Sequence, residues 1–146
     1  MNKGKKYQIL LVEDNPDDVF LMQYTFQKLD VNVDIKIVNN GKSALDYLNL
    51  SVKNKSVLPD LIILDINLPR LNGLEVLRSI KSNPDTMAIS TIIFTSSNLS
   101  NDMDYSYGNG ADLYLLKPNN IEELKETMKY VVDGYLYRIN VPALVK

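Results

Sequence analysis

Apolar and polar positions along the chain alternate between two periods, and the alternation predicts five strands each followed by a helix. Tyr7 to Val12 is an apolar run of strand length that ends in Glu13, Asp14, Asn15 and Pro16. Asn15 is suited to cap a helix whose first residue is Pro16, and that helix carries a wide apolar face to about Leu29. Val33 to Val38 alternates around Asp34 and Lys36 and predicts a second strand, shorter and more exposed than the first, at an edge of the sheet. A second helix is expected over Lys42 to Leu50, followed by a polar loop from Ser51 to Pro59.

Leu61 to Leu64 is an unbroken apolar run with turn signals on both sides, the pattern of a strand covered on both faces. It stops at Asp65. Leu74, Val76, Leu77 and Ile80 then predict a helix that ends near Asn83, because Pro84 cannot continue it. Ile89 to Phe94 predicts the fourth strand, Ser100 to Tyr107 a short helix, Leu113 to Leu116 the fifth strand and Ile121 to Tyr137 the last helix. In that helix Ile121, Leu124, Met128, Val131 and Tyr135 form the apolar stripe.

Strand then helix, repeated five times, implies right-handed crossovers and a parallel sheet covered on both faces. The architecture expected is an α/β flavodoxin-like doubly wound sheet in strand order 2-1-3-4-5. With 146 residues, no internal repeat and no low-complexity linker, the chain is expected to form one domain over residues 1–146, with a core over 7–137 and a C-terminal extension over 138–146.

Composition narrows the chemistry. Cysteine and histidine are both absent, which excludes disulfides, thiolate and imidazole metal ligands, and the commonest general base. Carboxylates, hydroxyls and lysines remain. A net charge of -2 gives no basic field for nucleic acid, and the one basic cluster, Lys3, Lys5 and Lys6, is short. No apolar run approaches the roughly 18 residues of a membrane span, and Ile9 to Val12 is too short for a signal-peptide core. A cytoplasmic protein with neither nucleic-acid nor membrane partners is expected.

Four of the five predicted strands stop at groups able to coordinate or react: Glu13 and Asp14, then Asp65, then Thr95, then Lys117. In a parallel sheet these ends face one way, and order 2-1-3-4-5 makes strands one and three neighbours. Asp14 and Asp65 should therefore meet at one crevice, beside Thr95 and Lys117. Each carboxylate pair at about 4 Å costs roughly 4 kcal/mol at an effective dielectric near 20, so a cation is required. Oxygen ligands with room for water suit Mg²⁺. Mg²⁺ and Lys117 together would make a socket for a phosphoryl group, with Asp65 as nucleophile.

The set Glu13-Asp14, Asp65, Thr95-Ser96 and Lys117-Pro118, in this order and at these strand ends, resembles the receiver domain of two-component response regulators from about Tyr7 to Tyr137. The resemblance implies that Asp65 takes a phosphoryl group from a phosphohistidine on a separate histidine kinase. It implies that Asp14, Asp65 and the backbone carbonyl of Asn67 hold Mg²⁺, with Glu13 contributing through water. It also implies that Thr95 binds a phosphoryl oxygen, that Lys117 pairs with the phosphoryl group or with free Asp65, that Pro118 follows a cis peptide, and that Tyr114 is an aromatic switch.

Such a protein catalyses only its own phosphorylation and dephosphorylation. Without a predicted output domain it is expected to signal by contact. A narrower resemblance, carried by Leu50 to Asp60 and by Asp65-Ile66-Asn67-Leu68-Pro69, is to the small response regulators associated with bacterial phytochrome kinases. Tyr130, Tyr137 and the tail from Val141 to Lys146 exceed what the last helix needs for its own core. They suggest a homodimer or kinase contact through the face of helix four, strand five and helix five.

Two other classes compete. A phosphohydrolase of the haloacid dehalogenase type also phosphorylates an Asp at a strand end, but uses a second Asp two residues on as general acid. Asn67 stands there and cannot donate that proton. A pure interaction module would have lost the acceptor constellation, which is intact.

Overall fold

A computed structural model describes residues 4–139. Its elements run β1 (Tyr7–Val12), α1 (Pro16–Lys28), β2 (Val33–Val38), α2 (Gly41–Lys53), β3 (Leu61–Leu64), α3 (Gly73–Ser82), β4 (Ser90–Thr95), α4 (Ser100–Gly108), β5 (Leu113–Leu116) and α5 (Ile121–Val131), followed by a π-helical turn over Val132–Leu136. The five strands pair in the order β2-β1-β3-β4-β5, and every pairing is parallel. The expected doubly wound sheet is therefore the observed one.

All four residues of β3 and all six of β4 are buried, as a central strand covered on both faces requires. Alternate side chains feed two cores. Ile9, Leu11, Ile63, Ile92 and Phe94 meet Met22, Phe26, Leu124 and Met128 on the side of α1 and α5. Leu10, Val12, Ile62, Leu64 and Ile93 meet Ala44, Leu48, Val76, Leu77 and Ile80 on the other side. Each buried Leu or Ile contributes about 1.5 to 3 kcal/mol relative to exposure, so the sheet's place between these layers is firmly held.

Asparagine starts four of the helices. Asn15, Asn40, Asn72 and Asn120 each accept backbone N–H bonds from the first turn of α1, α2, α3 and α5, satisfying donors that a helix start leaves open. In α4 the cap position is Leu99, whose side chain makes no such bond.

Three expectations change. β2 lies at an edge and is half-exposed, but at six residues it is as long as β1, because each residue from Val33 to Val38 has a partner in β1. α2 runs to Lys53, taking three residues from the expected loop; Ser51 is buried and its hydroxyl donates to the Tyr47 carbonyl at 2.8 Å. The α-helical part of the last helix stops at Val131. The π turn that follows bonds at a spacing of five, Tyr137 N–H donating to the Val132 carbonyl at 2.8 Å, so Leu136, five positions after the buried Val131, enters the core while Tyr135 packs only against its margin. Tyr137 is drawn inward too, its ring centroid 5.6 Å from that of Tyr7.

Candidate phosphoryl-acceptor site

The carboxyl ends of β1, β3, β4 and β5 converge because the parallel register aligns them: Val12 pairs with Leu64, Leu64 with Ile93, and Thr95 with Leu116. The residue after each of β1, β3 and β5 is chemically active. Glu13 and Asp65 are buried at 3% and 5% exposure, while Asp14 is exposed. These three carboxylates each offer an oxygen within 4.8 Å of the others.

Lys117 reaches into this cluster from the end of β5. Its ammonium lies 2.9 Å from Asp65 Oδ2, 2.7 Å from Glu13 Oε1 and 2.7 Å from Asp18 Oδ2. Burial alone would lower its pKa, but hydrogen bonds to Asp18, Glu13 and Asp65 outweigh that and hold it well above the usual lysine range. Glu13 is shifted the other way from most ion-paired carboxylates. Burial raises its pKa, opposed by the Lys117 hydrogen bond and reinforced by the charge of Asp65.

The loops fix Asp65. Asn67 N–H donates to Asp65 Oδ1 at 3.2 Å, and Gly73 N–H donates to the Ile66 carbonyl at 2.9 Å. Gly73 must lack a side chain, since a methyl there would overlap the Asp65 carbonyl oxygen and approach Ile66 Cα within 2.6 Å. The start of α3 thus presses directly on the backbone of Asp65 and Ile66.

Thr95 is fully buried at the end of β4 and its carbonyl accepts the Lys117 N–H at 2.8 Å. Its hydroxyl accepts from Ser97 N–H at 3.3 Å. Tyr114, in β5, is also fully buried, and its hydroxyl donates to the Ser97 carbonyl at 2.7 Å. Ser97 Oγ in turn donates to Asp102 Oδ2 in the first turn of α4 at 2.6 Å. Thr95, Tyr114 and the uncapped start of α4 are therefore linked through one residue, Ser97.

The structure brings Glu13, Asp14, Asp65, Asn67 and Lys117 together, with Thr95 on the adjoining strand end and Tyr114 beneath the loop that follows it. Asp18 is the residue that sequence reasoning missed. It lies in the first turn of α1 beside Asp17, and the local sequence does not set one of these two acids apart from the other. The Lys117–Pro118 bond is trans, as no described peptide bond is cis. Trans is the intrinsically favoured isomer by about 0.5–1 kcal/mol, and with it Lys117 already reaches all three carboxylates.

The donor set fits a divalent cation: only oxygens are offered, and three carboxylates face a single ammonium. Residues 9–129 match the model of the response regulator receiver domain. The chain belongs to the receiver family of response regulators. It is 37% identical over 128 residues to the probable methanogenesis regulatory protein FilR2 of Methanothrix harundinacea, covering 88% of this chain and 83% of that protein. It is 33% identical over 136 residues to response regulator Rcp1 of Synechocystis, covering 92% of each. The Mn²⁺-bound structure of Rcp1 superposes with a TM-score of 0.82 over 94% of this chain and 99% of that one. The phosphorylated cyanobacterial phytochrome response regulator RcpA gives 0.85 at 31% identity, over 95% and 100%. As a receiver, the chain is a phosphorylatable, divalent-metal-binding signalling module of a two-component system. No helix among the described residues is long and apolar enough to cross a membrane.

Proposed function

We propose that Asp65 is the phosphoryl acceptor of this receiver and that Glu13, Asp14, Asp65 and the Asn67 carbonyl hold its Mg²⁺. The observation that carries this is the buried Asp65 carboxylate 2.9 Å from the Lys117 ammonium, with Glu13 and Asp14 oxygens within 4.8 Å. Bound Mg²⁺ would supply positive charge that offsets repulsion between phosphoryl oxygens and the acidic cluster.

An Asp65 oxygen attacks phosphorus, the bond to the donor's imidazole nitrogen breaks, and the bond electrons leave with the imidazole. Lys117 turns from the free carboxylate to a phosphoryl oxygen. The Thr95 hydroxyl takes another, giving up its bond to Ser97 N–H. Tyr114, tied to the Ser97 carbonyl, registers that change and passes it to α4.

The phosphoryl donor is a sensor histidine kinase, and the likeness to the phytochrome response regulator RcpA favours one of the phytochrome type. With such a partner the receiver works in the cytoplasm and catalyses only its own phosphorylation and dephosphorylation. The contact face is that of α4, β5 and α5, where Tyr105, Tyr107 and Leu116 are exposed, and it supports a homodimer or a partner contact. Tyr137 is withdrawn from that role by its packing on Tyr7, and the expected contribution of Val141 to Lys146 lies outside the described residues.

Labelling with acetyl phosphate and Mg²⁺ tests the assignment. Incorporation should require both Asp65 and the metal. An Asp65→Asn variant labelled at the wild-type rate, or labelling undiminished by a chelator, would refute it.

A further inference from the structure

The Lys117 ammonium has three protons to donate, and three carboxylates take them: Glu13, Asp18 and Asp65. A phosphoryl oxygen arriving on Asp65 can be met only by releasing one of these partners. The three are not equally easy to release. The Glu13 and Asp65 side chains are 4% and 6% exposed, whereas that of Asp18 is 31% exposed. A carboxylate stripped of its cation in the interior keeps an uncompensated charge, while one at the surface is taken up by water. Asp18 also borders a cleft of about 180 Å³, lined by Leu21, Phe94, Lys117 and Pro118, through which water can reach it. It stands on α1, apart from the strand-end loops that hold the acceptor.

We propose that Asp18 is a positioning residue that holds the Lys117 ammonium while Asp65 is unphosphorylated and yields it to the incoming phosphoryl group. Asp18 thereby sets how readily the acceptor site takes a phosphoryl ligand. The inference rests on the assignment of Asp65 as acceptor. It predicts that removing the Asp18 charge frees one donor of Lys117 in the resting state and makes the phosphoryl-bound state easier to reach.

The probe is beryllofluoride, an inorganic phosphoryl mimic, titrated into the full chain at saturating Mg²⁺ and followed by amide resonances of Asp65, Ile66 and Asn67. Asp18→Asn should lower the half-saturating concentration about fivefold, the effect of losing one partly exposed ion pair. Asp17→Asn removes the same charge from the same turn of an exposed neighbour, so it should leave the value within twofold. Asp18→Glu retains a carboxylate and should also stay close to wild type. An unchanged or raised half-saturation in Asp18→Asn overturns the proposal, as does an equal shift in Asp17→Asn, which would mean a general field and not the contact. A wild-type chain that shows no saturation, or an Asp65→Asn variant that saturates like wild type, overturns the assignment of Asp65 and this inference with it.

Discussion

Carboxylates stand at both ends of the sheet, and the two sets are held in opposite ways. At the amino end Asp60 precedes β3 and Asp112 precedes β5. Each makes the same reciprocal pair with a neighbouring strand. Asp60 Oδ2 accepts from Gln8 N–H at 2.8 Å while Asp60 N–H donates to the Gln8 carbonyl at 2.7 Å. Asp112 Oδ2 accepts from Thr91 N–H at 2.7 Å while Asp112 N–H donates to the Thr91 carbonyl at 2.9 Å. Each also has its own lysine at 3.4 Å, Lys5 for Asp60 and Lys81 for Asp112. These acids close the sheet, and their charges are matched one to one.

At the carboxyl end Glu13, Asp18 and Asp65 share Lys117 alone among the described ion pairs, and Asp14 adds a further carboxylate within 4.8 Å of Glu13 and Asp65. The same side-chain chemistry thus serves as a fastening at one end and as unspent attraction for cations at the other. What separates them is the ratio of carboxylates to donors.

The strongest way to break this comparison is Lys117→Ala. It leaves the buried Glu13 and Asp65 charges unpaired and should cost about 3 kcal/mol in urea unfolding without metal, with Mg²⁺ restoring much of the loss. A variant as stable as wild type in the absence of metal would mean that the cluster is not under charge strain. Asp112→Ala should cost about 1.5 kcal/mol by leaving Thr91 N–H without its acceptor. Here Mg²⁺ should not restore the lost stability, and an equal rescue at both ends would erase the distinction drawn above.

The smallest effect is on pH dependence. The folded state raises the Lys117 pKa above its ordinary 10.5, so the stability it contributes is complete below that pH. It is lost as pH rises through the folded-state value. Metal-free wild type should therefore lose stability in strongly alkaline solution more steeply than Lys117→Ala. Parallel curves for the two proteins would show that the ammonium's partners contribute nothing to folding.

Strands and helices were legible because each is written locally: Leu61 to Leu64 as an unbroken apolar run, Asn15-Pro16 as a helix start. The strand ends carried the site for the same reason, since parallel topology converts separate motifs into neighbours. Three features were not written locally. Asp18 meets Lys117 across 99 positions, and nothing near either residue announces the contact. The extension of α2 to Lys53 depends on Ser51 being buried with its hydroxyl on the Tyr47 carbonyl, although Ser and Asn read in isolation favour turns. The π turn after α5 breaks the period on which helix reading rests. The stripe through Tyr135 was correct for an α-helix and one residue short for the helix that forms.

That extra residue is a fossilised insertion in the sense that it can be undone by a single deletion. An α-helix turns 100° per residue. Because the π turn takes five residues to wind about as far as four α-helical ones, removing Gly134 and letting the α-helix run on would leave Leu136 and Tyr137 facing as they do now, with the ring contact to Tyr7 kept. A sequence that loses one residue here therefore keeps its seal over the core, and the carboxylate cluster around Asp65 at the opposite end of the sheet would not register the change. The end of α5 is in this respect an adjustable seam, open to length variation that the strand-end loops around Asp65 and Gly73 have no room to accept.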